Sequence, residues 1–453
     1  MDRALAYARE HRARFVSELL DLLRIPSVST APDRAPDVAR AARWLAAHLE
    51  ALGLQAHVEA TDRHPVVRAQ WLGAPGRPTI LCYGHFDVQP PDPQDQWMYP
   101  PFEPTIVDET LYARGASDDK GQLFIHVKAV EAILRTAGAL PVNVKFLLEG
   151  EEEIGSPSMA TYVPRHRRQL AADAALISDG ALFAADLPTI VTGLRGLLYA
   201  EIEVVGARRD LHSGQYGGAA PNALGALAQI LAALKDRKGR VRIPGFYTRV
   251  RPPDPAEQDA WARLPFDEAG FLREIGTPVA PGEDGYPILH RLWARPTLDV
   301  HGVAGGFVGE GLKTVIPSRA AAKVSMRLVP DQRPERIFRQ LVRFVGRVTP
   351  PGVAVEVRYV ASTPPVLTPT EAPAVRAAAA ALEATYGRPP VFTRAGGSVP
   401  VVSQFSDVLR IPTVLAGFGL PDDNLHAPNE KFALANFHRG IEATIRFFHL
   451  VGG

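Results

Sequence analysis

Four short, mainly apolar runs decide the architecture of this chain: VVRAQWL (residues 66–72), TILCYGHFD (79–87), VNVKFLLEG (142–150) and AALISDG (174–180). A helical pattern from Gly121 to Thr136 separates the second run from the third. Apolar runs of this length alternating with helical periodicity predict strands of a mostly parallel sheet in an α/β fold. Upstream, residues 3–23 and 37–52 carry apolar positions at helical spacing, and the second pattern closes at Gly53, where a left-handed residue is easy for glycine.

The pattern changes near Gly196. In LLYAEIEVV (197–205), Ala200, Ile202 and Val204 alternate with Tyr199, Glu201 and Glu203, as expected of a sheet with one solvated face. A helix over 221–235, an irregular Pro- and Gly-rich stretch over 239–296, strands at 297–303 and 320–329, a helix at 333–347 and a strand at 353–360 follow. STPPVLTP (362–369) reads as a linker. A helix over 371–386, the strand IPTVLAGF (411–418) and a helix over 432–449 return to the first style. We therefore expect a first domain formed by residues 1–193 and 371–453, with an inserted α+β domain over 194–370; the length of 453 residues fits two cores.

Lys+Arg 50 against Asp+Glu 49 gives a formal charge of +1, which lacks the footprint of a nucleic-acid or anionic-membrane binder and favours small-molecule partners. The single cysteine, Cys82, excludes an intrachain disulfide. The charged N-terminus MDRALAYAREHRARF has no signal-peptide pattern, and no apolar stretch reaches spanning length, so a soluble cytoplasmic protein is expected.

Just after the strands come groups that divalent metals accept: His85 and Asp87 in GHFD, Asp118 and Asp119 in SDDKG, the carboxylates of EGEEEIGS (149–156), Asp179 in SDG, and His426 in DDNLHAPNEK. Neutral imidazole and carboxylate suit zinc and its neighbours, and ligands in open α/β sheets gather beyond the carboxyl ends of strands. Singly, each has a plainer reading. Asp118 or Asp119 fits a helix N-cap, EGEEEIGS fits an exposed acidic loop, and His85 alone fits a packed histidine. Five such segments at one sheet edge point to a two-metal hydrolase. GFVGEGLKT (306–314) approaches a phosphate loop, but Leu312 separates the last glycine from Lys313 and VIPS follows in place of a helix, so no nucleotide site is expected.

The runs YGHFDVQP (83–90), PPFEP (100–104), DDKGQ (118–122), DLHSGQYGG (210–218), KTVIPSRA (313–320), SMRLVP (325–330), GGSVPV (396–401) and HAPNEK (426–431) resemble, over nearly the whole chain, the co-catalytic zinc peptidases and deacylases. That family includes aminoacylase, glutamate carboxypeptidase and desuccinylase enzymes, and the closest likeness is to its nonspecific and carnosinase-type dipeptidases. The resemblance implies that Asp118 bridges two metals, that His85 and Asp179 complete one site, and that Glu153 and His426 complete the other. It implies a cis peptide after Asp118 and Glu152 as general base; independently of it, Asp87, two residues after His85, fits the carboxylate partner that orients a metal-bound imidazole. The resemblance further implies a lid and dimerisation role for the inserted domain, with His212 reaching the partner's active site, and substrate contacts by Thr314, Arg327 and Ser398. Two positions depart from the pattern: Phe86, where relatives often have tyrosine, and Ala395, where they have glutamate.

The expected enzyme is a dinuclear metallopeptidase holding two divalent ions per chain, zinc with manganese or cobalt as the alternatives, and working as a homodimer. It would hydrolyse dipeptides with a free C-terminal carboxylate through a metal-bound hydroxide, with Glu152 as base. An N-acyl amino acid deacylase or carboxypeptidase would share every ligand. A noncatalytic metal- and peptide-binding dimer would gain force only if Glu152 or a ligand were missing, and all are present.

Overall fold

The structure, a computed structural model, describes residues 1–453. The chain divides into two compact units, one of Met1–Thr192, Thr368–Thr393 and Pro400–Gly453, the other of Gly193–Leu367 and Arg394–Val399.

The first unit is built on a mixed sheet whose strands run in the order Gln55–Glu59, Val66–Trp71, Asn143–Glu149, Thr79–His85, Ala174–Ile177, Thr413–Leu415 and Thr189–Leu194. The four central strands are parallel, and the flanking pairs are antiparallel. Every residue of Asn143–Glu149 and Ala174–Ile177 is buried, as two-sided coverage of a parallel core requires. Asn143–Glu149 and Ala174–Ile177 lie on opposite sides of Thr79–His85, so the carboxyl end of that strand is a topological switch point.

Helix Lys120–Ala137 is buried from Lys120 through Ile133 and ends at Gly138 with φ 71°, a left-handed conformation suited to glycine. Its interior charges are answered locally. The Lys128 ammonium donates to Glu131 Oε2 at 2.7 Å and to Glu18, lies 2.7 Å from His48 Nε2, and sits over the Phe15 and Phe124 rings. Arg14 adds a second partner for Glu131 at 2.6 Å. Helix Leu434–Gly452 packs on Lys120–Ala137 through Phe437, Ile441, Phe448 and neighbours in the same core.

The second unit has a four-stranded antiparallel sheet in the order Thr297–Gly305, Arg319–Leu328, Gly196–Val205, Ala354–Thr363. Ala200, Ile202 and Val204 face a core closed by helices Ala223–Leu234 and Pro334–Val348. On the other face Glu201 and Glu203 meet Arg358 and Arg319 at 3.1 and 2.8 Å.

Three readings of the sequence differ from this. The stretch 239–296 contains the helices Pro255–Ala262, Glu268–Glu274 and Ile288–Trp293, the first two N-capped by Asp254 and Asp267. Residues 3–23 form two helices, Asp2–Glu10 and Arg12–Leu23, broken at His11. Arg394–Val399, assigned by sequence to the first domain, groups with the second unit, where Glu257 binds the Arg394 guanidinium through two hydrogen bonds of 2.7 and 2.5 Å.

Candidate dinuclear metal centre

The carboxyl ends of three parallel strands deliver the site. His85 is the last residue of Thr79–His85, opposite Glu149 in register; the Glu151–Glu153 turn follows Asn143–Glu149, and Asp179 follows Ala174–Ile177. Asp118 lies two residues before the start of helix Lys120–Ala137, and its peptide to Asp119 is cis. His426 comes from the loop before strand Lys431–Ala433.

His85 Nε2 lies 3.1 Å from Asp118 Oδ1 and 3.9 Å from Asp179 Oδ2. His426 Nε2 lies 2.9 Å from the other oxygen of Asp118, Oδ2, and 3.3 Å from Glu153 Oε2. Two sets of metal-type side chains, His85/Asp118/Asp179 and Asp118/Glu153/His426, thus share one carboxylate, with ligand atoms in each set within 4.8 Å of one another.

Asp87 holds this arrangement from behind. Its Oδ1 accepts the Glu152 N–H at 3.2 Å and its Oδ2 the Glu153 N–H at 3.1 Å, while the other nitrogen of His85, Nδ1, is 3.1 Å from the Asp87 carbonyl oxygen. The His85 ring is therefore turned with Nε2 toward Asp118.

The electrostatics describe a buried acidic centre that wants cations. Burial pushes Glu152 up to about 8, with Asp179, Glu153 and Asp118 adding to the shift against the opposing pull of His85. Burial likewise raises Glu153 to about 7, reinforced by Asp118, and Asp179 to about 6, again reinforced by Asp118. Burial opposes ionisation of Asp118 too, but hydrogen bonds from His426 and His85 hold its carboxyl well below the usual range. The hydrogen bond to Asp118 lifts His426 to about 9. Imidazole and carboxylate donors in two sets, with more buried carboxylates than imidazoles, fit two divalent cations of the zinc class. A third grouping, Glu18, His48 and Glu131, is already filled by the Lys128 ammonium.

The plainer readings of single motifs give way here. Asp119 occupies the N-cap position, yet its side chain makes no cap hydrogen bond; Oδ2 instead accepts the His85 N–H at 3.1 Å. EGEEEIGS is no exposed loop, since Glu149 and Glu151 are buried. Glu151 points away from catalysis: its oxygens accept from Thr61 Oγ1, His64 N, Ser158 N and Ser158 Oγ at 2.7 to 3.0 Å. Sequence reasoning missed Gln89, whose Nε2 donates to Glu153 Oε2 at 2.7 Å; its place four residues after His85 in the GHFDVQ run was the available signal.

His85, Asp87, Asp118, Glu152, Glu153, Asp179 and His426 all belong to the first unit, and His212, Thr314, Arg327 and Ser398 to the second. Within the second unit, strand Leu211–His212 pairs with Val315–Ile316, setting His212 opposite Val315, and the Thr314 carbonyl accepts the Ser213 N–H at 3.0 Å. His212 is exposed, and its Nδ1 accepts the Gly214 N–H at 2.9 Å, so the neutral ring carries its proton on Nε2. Arg327 Nη1 donates to Ser398 Oγ at 2.9 Å, and that hydroxyl donates to the Arg195 carbonyl at 2.5 Å.

A family model described as peptidase family M20/M25/M40 matches residues 81–449. The Cys-Gly metallodipeptidase of Schizosaccharomyces pombe is 30% identical, covering 99% of this chain and 98% of its own length. The human Beta-Ala-His dipeptidase is 30% identical over 99% of this chain and 92% of its own length. The solved structure of a metallo-carboxypeptidase from Sulfolobus solfataricus is 33% identical with a TM-score of 0.86, covering 97% of this chain and 99% of that one. With paired ligand sets of this kind at the carboxyl ends of its sheet, the chain belongs to the M20/M25/M40 family of peptidases.

Proposed function

We propose that this protein is a metal-dependent dipeptidase that hydrolyses dipeptides bearing a free C-terminal carboxylate. The observation that carries the reading is the single carboxylate, Asp118, whose two oxygens face two separate ligand sets. His85, Asp118 and Asp179 would hold one ion, and Asp118, Glu153 and His426 the other, with zinc preferred by the donor set and manganese or cobalt as alternatives. Bound divalent cations supply Lewis acidity, making the attacking water more acidic and the amide carbonyl more electrophilic.

Glu152 takes the proton of the attacking water and returns it to the leaving amine; Asp87 fixes its backbone for that transfer. The partner subunit's His212 donates its Nε2 proton toward the oxyanion, which makes a homodimer the working unit. The edge strand Thr297–Gly305, with Val300 and Val303 exposed, offers a surface on which two copies can pair. Arg327, oriented by Ser398, reads the substrate carboxylate through its planar donor fork, and Thr314 contacts the substrate. No helix is long and apolar enough to cross a membrane, and the one cysteine, Cys82, is buried and unpaired; the reading places the enzyme in the cytoplasm.

Names of relatives favour dipeptides, and the Sulfolobus relative, called a carboxypeptidase, favours a second reading in which longer peptides lose one residue. Free dipeptides are expected to be cleaved much faster than the same dipeptides amidated at the C-terminus, because a charge-assisted bond from Arg327 is lost. A panel of free dipeptides, their amides, tripeptides and N-acetyl amino acids checks this. Equal rates for free and amidated forms would remove Arg327 from carboxylate recognition, faster tripeptide cleavage would favour the carboxypeptidase reading, and preference for N-acetyl amino acids would favour a deacylase.

A further inference from the structure

The proposed centre draws Asp118 and His426 from two separate loops, and one buried side chain that touches neither the ligand atoms nor the place of the substrate joins those loops. Glu430 is fully buried. Its Oε1 accepts the backbone N–H groups of Ser117 and Asp118, each at 3.0 Å. Its Oε2 accepts the Gly115 N–H at 3.0 Å and Arg114 Nη1 at 2.8 Å. All four donors come from residues 114–118, the segment that ends in the shared carboxylate. Arg114, itself buried, spends Nη2 on the Ala427 carbonyl at 3.2 Å, next to His426, and on the Pro90 carbonyl at 3.2 Å, beyond Asp87 and Gln89.

An ionised carboxylate has about four acceptor positions and no donor, which matches the four donors that Glu430 receives. A buried ion pair of this sort is weak evidence for stability, because desolvation offsets much of the attraction. Its placement says more: the donors are concentrated on the backbone of one metal-bearing loop, and the remaining arm reaches the other. The geometry points to Glu430 as the positioning residue of the dinuclear centre, fixing the direction of Asp118 between the two metals, with Arg114 extending that control to the His426 loop. This rests on the two-metal reading above.

Metal-free wild type, Glu430→Gln, Arg114→Gln and, as a reference lacking one ligand, His426→Ala are titrated with Co2+ against a competing chelator, at a temperature where circular dichroism shows each chain folded. Visible absorption reports the ligand geometry. The amide of Glu430→Gln keeps the volume but turns an NH2 toward two N–H donors, so about 10- to 100-fold weaker binding of both equivalents and an altered Co2+ spectrum are expected. Arg114→Gln leaves the three backbone bonds to Glu430 and is expected to weaken chiefly the equivalent that His426→Ala removes. Wild-type affinity and spectrum in folded Glu430→Gln would overturn the inference. If that variant does not fold, wild-type binding of both equivalents by Arg114→Gln would overturn it. Fewer than two Co2+ per chain in wild type would overturn the two-metal reading and this inference with it, whereas two in wild type beside unaffected variants would overturn the inference alone.

Discussion

Glu152→Gln is expected to bind two metal ions per chain as wild type does and to turn over dipeptides at least about 10²-fold more slowly. Glu152 belongs to neither ligand set, yet its half-buried side chain lies within electrostatic reach of His85, Asp179, Glu153 and Asp118. Its backbone is fixed by Asp87, a bond the substitution leaves alone. Glutamine keeps the shape and removes the proton acceptor, so binding and chemistry separate. Metal analysis beside turnover on one preparation checks the expectation. Near-normal turnover would take the base role from Glu152, and Glu151 could not inherit it, because its oxygens are committed to Thr61, His64 and Ser158.

A comparable loss is expected for His212→Ala, and combining it with Glu152→Gln tests whether the site is shared. Each single variant is expected to be nearly inactive as a homodimer. In a heterodimer, a contribution in trans pairs intact Glu152 on one chain with intact His212 from the other, leaving one site whole and the other doubly damaged. Activity of about half that of wild type per heterodimer is expected if the sites act independently. Persistent inactivity of a verified heterodimer would place His212 in its own subunit's site.

The parts of the fold carried by local pattern were legible in the sequence. Thr79–His85, Asn143–Glu149 and Ala174–Ile177 are apolar because both of their faces are covered, and helix Lys120–Ala137 has the length at which periodicity shows. The motifs that follow those strands could be placed at one edge from topology alone. What escaped was short or non-local. The helices Pro255–Ala262, Glu268–Glu274 and Ile288–Trp293 span eight, seven and six residues among prolines and glycines, too few turns for a periodic signal. The strands Thr105–Val107, Thr110–Tyr112 and Lys431–Ala433 have three residues each and exist through pairing with one another. The grouping of Arg394–Val399 with the second unit involves Glu257, 137 residues away in sequence. At the site, residue types pointed to the side chains proposed as ligands, which the structure groups in two sets, whereas the hydrogen bonds of Gln89 and Glu430 follow no spacing rule.

If two metal ions held around Asp118 carry the peptidase activity, stoichiometric reconstitution will show it. Protein stripped of metal by chelation is assayed for dipeptide hydrolysis as zinc, manganese or cobalt is added in measured equivalents. No turnover is expected before addition, followed by a rise that levels off at two ions per chain. Full turnover in the metal-free protein, or no turnover on any dipeptide with two ions bound, would rule out a two-metal dipeptidase.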